Sequence, residues 1–156
     1  MEALRVDHSP IDPAVGYRFT YKERSLLITG DTVKLANIEK FAQGVDLLVH
    51  EALAPNLVGM MHDTAAKSGD RIMTKITDDI LNYHTSPVEA AQTARDAGVG
   101  HLLYYHIVPP LVFPGQDILF LNGAQDIFPD YTIGQDGVSF SLPAGSKEII
   151  VTSKGL

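Results

Sequence analysis

The sequence predicts an α/β fold, with helices layered on a β-sheet. Three observations carry this. Two uninterrupted apolar runs, DLLVHEA at 46–52 and HLLYYH at 101–106, have the length and composition of strands covered on both faces. Between them lies PVEAAQTARDA at 87–97, a helix with start and stop signals at both ends. Ahead of them, GYRFTYKE at 16–23 alternates aromatic and polar residues, as a half-covered strand does. Strand pair, helix, strand, helices and strand in that order make a layered α/β arrangement.

Along the chain, 16–23 and SLLIT at 25–29 form a hairpin through Glu23-Arg24. VKLANIEKFAQ at 33–43 places Leu35, Ile38, Phe41 and Ala42 on one helical face, with Thr32 available as its cap and Gly44 at its end. The stretch 53–69 carries no dominant period. Residues 70–83 read as a helix with Ile72, Ile76, Ile80 and Tyr83 on one side. The helix over 87–97 is specified most fully. Ser86 and Glu89 have capping-box spacing, Pro87 takes the first helical position, and Gly98 suits a left-handed C-cap with Val99 beyond it. The remainder predicts loops, a helix near 116–127, and strands near 137–142 and 147–152.

The 156 residues are enough for one domain, and 45% hydrophobic with 20% charged residues is an ordinary globular composition. Twelve Lys and Arg against nineteen Asp and Glu give a formal charge of −7. No basic cluster offers a sequence-independent grip on nucleic acid, so nucleic acid is not expected as a partner. There are no cysteines, which removes disulfides and thiolate metal ligands. No apolar run reaches membrane-span length and no signal peptide is visible, so a cytoplasmic protein without membrane association is expected.

Chemistry-bearing side chains fall at strand ends. Asp31 follows the second strand of the hairpin, His50 and Glu51 end the next strand, His106 ends the strand after it, and His8 precedes the hairpin. Sites in α/β sheets form outside strand ends, where loops converge. Imidazole and carboxylate together suit Zn²⁺, Mn²⁺ or Fe. Each residue also has a plain structural reading. Asp31 could cap the helix that follows, His106 could be a hydrogen-bonded strand-end histidine, His8 could be solvent-exposed, Glu51 could open a helix, and His84 could merely flank one. His62 and His101 read as structural. No HxH or HExxH pair nucleates a metal site locally.

The order of motifs resembles a family. VDHSPIDPAVGYRFTYKERSLLITGDT, DLLVHEAL and YHTSPVEAAQTARDAGVGHLLYYH resemble, in sequence, segments of the metallo-β-lactamase-fold hydrolases of the ribonuclease Z and arylsulfatase-like branch. The resemblance covers residues 6 to about 110. It implies half of an αββα sandwich, a mixed sheet with helices packed on one face. It implies a dinuclear site in which His8 and His106 each bind one Zn²⁺ ion (Mn²⁺ or Fe being the alternatives) and Asp31 bridges the two. It also implies that Glu51 orients His84, which protonates the leaving oxygen.

The family's His-x-His-x-Asp-His motif is absent from the 156 residues. The expectation is therefore a C-terminal half whose N-terminal half is missing, inactive alone, with three ligands for two metals. IVPPL after His106 lacks the Ser-x-Arg-Tyr continuation of transfer-RNA processors. With the acidic charge, that favours a small-molecule phosphodiester or sulfate ester as substrate. The uncovered sheet face would meet the missing half or a second copy. The alternative is a non-catalytic module that dimerises through that face. An unrelated flavodoxin-like domain is disfavoured by the lack of a glycine-rich phosphate loop after the first strand.

Overall fold

A computed structural model describes residues 1–153. β1 (Glu2–His8) and β2 (Ile11–Tyr21) pair antiparallel, and β2 pairs antiparallel with β3 (Arg24–Ile28). The β2–β3 turn has Lys22 at φ 46° and Glu23 at φ 65°, the pair of positive angles a two-residue hairpin needs. β4 (Leu47–Leu53), β5 (His101–Val108) and β6 (Tyr131–Ile133) then add in parallel, giving the order β1-β2-β3-β4-β5-β6. Parallel neighbours need crossovers, and helices supply them. α1 (Ala36–Ala42) links β3 to β4. α2 (Pro55–Ser68), α3 (Arg71–Asp79), a 3₁₀ turn (Ile80–Asn82) and α4 (Pro87–Ala97) link β4 to β5.

The core lies between the sheet and α1 and α4. Leu4, Val6, Leu27, Leu48, Leu102 and Tyr104 face Ile38, Ala42, Ala90, Ala91, Ala94 and Ala97. Each large aliphatic side chain buried there is worth about 1.5–3 kcal/mol. The alanine stripe lets α4 approach closely, and the Tyr104 hydroxyl reaches it by donating to the Pro87 carbonyl at 3.0 Å.

Among the described residues, the other sheet face has no helical layer. Cross-strand register places Val15, Tyr17 and Phe19 of β2 on it, with Leu26 and Ile28 of β3. Val15, Tyr17 and Phe19 remain 37–38% exposed. A small hairpin of β7 (Val138–Ser141) and β8 (Ile150–Ser153) covers part of it. Arg24 anchors that hairpin: it is buried, pairs with Asp46 at 3.2 Å, and donates to the carbonyls of Pro143, Ser146 and Glu148. A mixed sheet covered by helices on one side only is half of an αββα sandwich. Among the described residues, no helix is long and apolar enough to cross a membrane.

Several local expectations change. The first helix starts at Ala36, not 33, and Leu35 precedes it without a side-chain cap. Thr32 is fully buried and serves another partner, described below. Residues 53–69 contain the 14-residue α2. α3 ends at Asp79, and its Ile72 and Ile76 are 75% and 48% exposed instead of facing the core. The helix near 116–127 is two short ones, α5 (Gln116–Leu121) and α6 (Ala124–Ile127), split where Asn122 and Gly123 both take positive φ. α4 has its capping box, its Pro87 and its left-handed Gly98 as expected.

Candidate active site

The rim at the C-terminal ends of β3, β4 and β5 gathers the polar residues. β3 runs into Gly30, whose φ is +67° and where a Cβ would lie 2.8 Å from the Val15 carbonyl oxygen. Only glycine tolerates both, so the chain can turn sharply and present Asp31 at the rim. Asp31 Oδ2 is 3.5 Å from His106 Nε2. His106 is itself placed by an irregularity. β4 and β5 pair Glu51 with Tyr105 and then Ala52 with Ile107, so His106 is the extra residue of a β-bulge. Its φ of +44° is left-handed, a strained conformation for a non-glycine residue. Bulges re-aim side chains, and this one turns His106 toward Asp31.

Behind them lies a buried keystone. Glu51 is fully buried. Its Oε1 accepts the backbone N–H groups of Thr32 at 3.2 Å and Thr85 at 2.8 Å. Its Oε2 faces His84 Nδ1 at 3.2 Å, with the His84 side chain only 5% exposed. The Thr85 hydroxyl donates to the Thr32 carbonyl at 2.6 Å. Glu51 thus ties the segment after β3 to the segment before α4 and holds His84 between them. The His84 ring lies 5.1 Å from His8 and 5.9 Å from His106, centroid to centroid. His8 Nδ1 donates to the Tyr83 carbonyl at 2.8 Å, which leaves the lone pair of the neutral ring on Nε2. All five expected residues, His8, Asp31, Glu51, His84 and His106, therefore meet in one cluster.

The remaining histidines do not join it. His62 lies between Asp63 and Asp78 and ties α2 to α3. His101 Nε2 meets the Thr132 hydroxyl at 2.9 Å. His50, next to Glu51, points into the core, where burial holds its pKa below the ordinary value. Tyr105 was not expected in the site. It lines a cleft of about 920 Å³ beside His106 on the bare face of the sheet, with Leu103, Ile133, Asp136 and Val138. Burial, then the charges of Asp31 and Glu51, push its phenol up to about 12. Its signal in the sequence was only its place before His106. Thr32, Tyr83 and Thr85 contribute backbone groups, which no residue type announces.

The donor set fits a metal site in kind but not in number. His8 has the hydrogen-bonded Nδ1 and bare Nε2 of a metal-ligating histidine, and Asp31 and His106 face each other. Among the described residues, no three His, Asp or Glu side chains close around one ion.

The chain has relatives among known proteins. The chain is 34% identical to a ribonuclease Z of Mycobacterium sp. (strain KMS) over 123 residues, 79% of its own length and 39% of that protein. It is 36% identical to a putative ribonuclease Z of Mycobacterium tuberculosis (strain CDC 1551 / Oshkosh) over 111 residues, 71% of this chain and 44% of that one. The chain belongs to the ribonuclease Z branch of the metallo-β-lactamase-fold family. No family model matches it. In structure it resembles the metallo-β-lactamase fold protein YhfI from Bacillus subtilis, with a TM-score of 0.57, 23% identity, and coverage of 83% of this chain and 43% of YhfI. The likeness to YhfI is one of fold.

The chain spans about two fifths of the length of the ribonuclease Z relatives it matches. Their name stands against one expectation. A small-molecule ester and the absence of nucleic acid were inferred from an acidic charge and a missing basic cluster. That charge describes 156 residues. It says nothing about surfaces carried by the part of a ribonuclease Z that this chain does not match.

Proposed function

We propose that this chain is the C-terminal half of a metal-dependent phosphodiesterase, with RNA as its substrate class. The supporting observation is the buried Glu51–His84 pair opening onto a rim where Asp31, His106 and His8 converge. In this reading His8 and His106 would each contribute an imidazole, and Asp31 its carboxylate, to holding divalent metal at this rim. The other ligands, and the base that handles the nucleophilic water, come from an N-terminal half bearing the His-x-His-x-Asp-His motif. Bound Zn²⁺ would supply neutralisation of phosphoryl charge and an acidified water.

The chain's own residues do the rest. Glu51, 3.2 Å from His84 Nδ1, sets a carboxylate beside the ring and fixes its place. The Nε2 proton of His84 is then directed at the leaving oxygen. As water oxygen bonds to phosphorus and the bond from phosphorus to the leaving oxygen breaks, that proton passes to the leaving alkoxide. The imidazole recovers it from solvent. Proton donation of this kind contributes about 10²–10⁴-fold. The bare face carrying Tyr17 and Phe19 is where the second half of the sandwich packs.

The test is reconstitution. The chain is mixed with a separately expressed N-terminal part of a mycobacterial ribonuclease Z, and hydrolysis of an RNA phosphodiester is followed with Zn²⁺ present. An aryl sulfate serves as the competing substrate. RNA cleavage that is lost with His84→Ala and Asp31→Ala supports the reading. A folded two-part complex with metal but without turnover sinks it, and favours a non-catalytic module. Turnover of the sulfate alone would overturn the substrate class.

A further inference from the structure

His84 is the candidate proton donor, yet no hydrogen bond at Nδ1 aims its ring. Nδ1 lies 3.2 Å from Glu51 Oε2, but among the described residues neither buried atom makes an aligned hydrogen bond. The contact places a charge beside the ring; it does not by itself set the ring's direction. That direction depends on the backbone carrying His84, and this backbone runs straight into Thr85. Thr85 is fully buried, with every polar group engaged. Its N–H donates to Glu51 Oε1 at 2.8 Å, its hydroxyl donates to the Thr32 carbonyl at 2.6 Å, and its carbonyl accepts the Leu53 N–H at 2.8 Å.

The Thr32 N–H donates to the same Oε1, at 3.2 Å. Two donors on one oxygen make a pivot: the segments at 31–33 and 84–86 could swing about Oε1 without losing either bond. The Thr85 hydroxyl removes that freedom. By reaching the Thr32 carbonyl it closes a ring through Glu51 Oε1, Thr32 and Thr85. Thr32 is tied in turn to the end of β1: its hydroxyl accepts the Asp7 N–H at 3.3 Å, and Val33 donates to the Asp7 carbonyl at 2.9 Å. Each tied residue adjoins one residue of the site: Asp7 precedes His8, Thr32 follows Asp31, and Thr85 follows His84. A β-branched side chain has few rotamers, so the Thr85 hydroxyl has little choice of direction. A buried hydroxyl or carbonyl left unpaired is costly, so the bond is not readily given up.

We propose that Thr85 is a positioning residue for the proton transfer: its hydroxyl fixes the distance and direction of His84 relative to the rim of His8, Asp31 and His106. This rests on the reading of His84 as the proton donor. Glu51 supplies the charge beside the imidazole, and Thr85 supplies its aim. The role is separate from holding metal, because the hydroxyl bonds to a backbone carbonyl and to no side chain of the rim. Loss of the hydroxyl therefore slows proton donation while metal and substrate binding persist. Misplacing a reacting group by about 1 Å costs on the order of 10²-fold in rate.

NMR of the purified chain tests this without requiring turnover. The wild type should show ring-to-ring NOEs from His84 to His8 and to His106, whose centroids lie 5.1 Å and 5.9 Å away. It should also show a Thr85 hydroxyl proton that exchanges slowly with solvent. Thr85→Val keeps the shape and the N–H but lacks the donor; it should lose the His84–His106 NOE, and Thr85→Ser should restore it. Thr85→Ala takes its place if Thr85→Val does not fold. In the reconstituted enzyme, Thr85→Val should lower kcat about ten- to hundredfold with KM and Co²⁺ affinity unchanged, and Thr85→Ser should recover kcat. A wild-type complex without turnover counts against His84 as the proton donor, while the NOEs still decide the part played by Thr85. Unaltered His84 contacts in Thr85→Val, equal losses in Thr85→Ser and Thr85→Val, or a rapidly exchanging hydroxyl proton overturns the proposal. So does a Co²⁺ affinity that falls in step with kcat, which would make Thr85 part of the metal site's frame.

Discussion

Glu51 is the residue on which the site and its neighbourhood most depend, and its removal has a predictable cost. Two donors converge on it, the backbone N–H groups of Thr32 and Thr85, and His84 Nδ1 stands 3.2 Å from its other oxygen. The carboxylate is fully buried, so water cannot replace it. Glu51→Ala leaves both N–H groups without an acceptor, at about 1–3 kcal/mol each. The total, about 2–6 kcal/mol, is comparable with the whole stability of a marginally stable domain. Glu51→Gln behaves differently. The amide oxygen still accepts both N–H groups, and the loss is the difference between charged and neutral acceptors, about 2 kcal/mol in all. The amide nitrogen now faces His84 Nδ1, which must offer a lone pair and move its proton to Nε2. Urea unfolding measures the first effect, and ¹⁵N NMR of the imidazole measures the second. The account expects Glu51→Ala to be unfolded or nearly so, and Glu51→Gln to be folded with an inverted His84 tautomer. If Glu51→Ala costs less than about 1 kcal/mol, Glu51 does not hold these segments together and the reasoning fails.

Three further outcomes follow from the geometry. His106→Gly removes a left-handed strain of roughly 1–2 kcal/mol against a glycine entropy cost of about 0.5–1 kcal/mol. Its urea midpoint should equal or exceed that of wild type while metal affinity falls, whereas His106→Ala should show no such gain. Arg24→Ala strands the buried Asp46 carboxylate and frees three carbonyls of the 143–148 segment, for about 3–5 kcal/mol. Hydrogen exchange should show β7 and β8 losing protection before the main sheet. Burial depresses the pKa of His50, so below about pH 6.5 the unfolded chain binds a proton that the folded chain refuses. Stability should be level above that pH and fall by up to about 1.4 kcal/mol per unit as pH drops below it. His50→Gln, measured by urea unfolding across pH 5–7, should flatten this slope.

What could be read from the sequence was what is specified locally. α4 was legible end to end because Ser86, Pro87, Glu89 and Gly98 each act within one turn. β4 and β5 were legible because strands in a parallel sheet need apolar side chains on both faces. α2 was not, since Ala54 gives it no side-chain cap and its face is settled by packing on α3. The apolar period of α3 was read correctly, but period alone does not say which way a helix is turned. Asp31, His106 and His8 could be nominated by their places at strand ends and by family resemblance. How they are held was hidden. The Tyr83 carbonyl, the N–H groups of Thr32 and Thr85, and the bulge at His106 are backbone features. Thr32 shows the consequence: read as a helix cap, it instead gives its N–H to a carboxylate 19 positions away.

The central claim is that His8, Asp31 and His106 converge to hold divalent metal. Co²⁺ titration of the purified chain, followed by its visible absorption, tests it without requiring turnover. The account predicts a saturable spectrum of a nitrogen- and oxygen-ligated ion, abolished by Asp31→Ala, reduced by His8→Ala and by His106→Ala, and untouched by His62→Ala. No cobalt spectrum at any concentration, or one that survives Asp31→Ala, would contradict it.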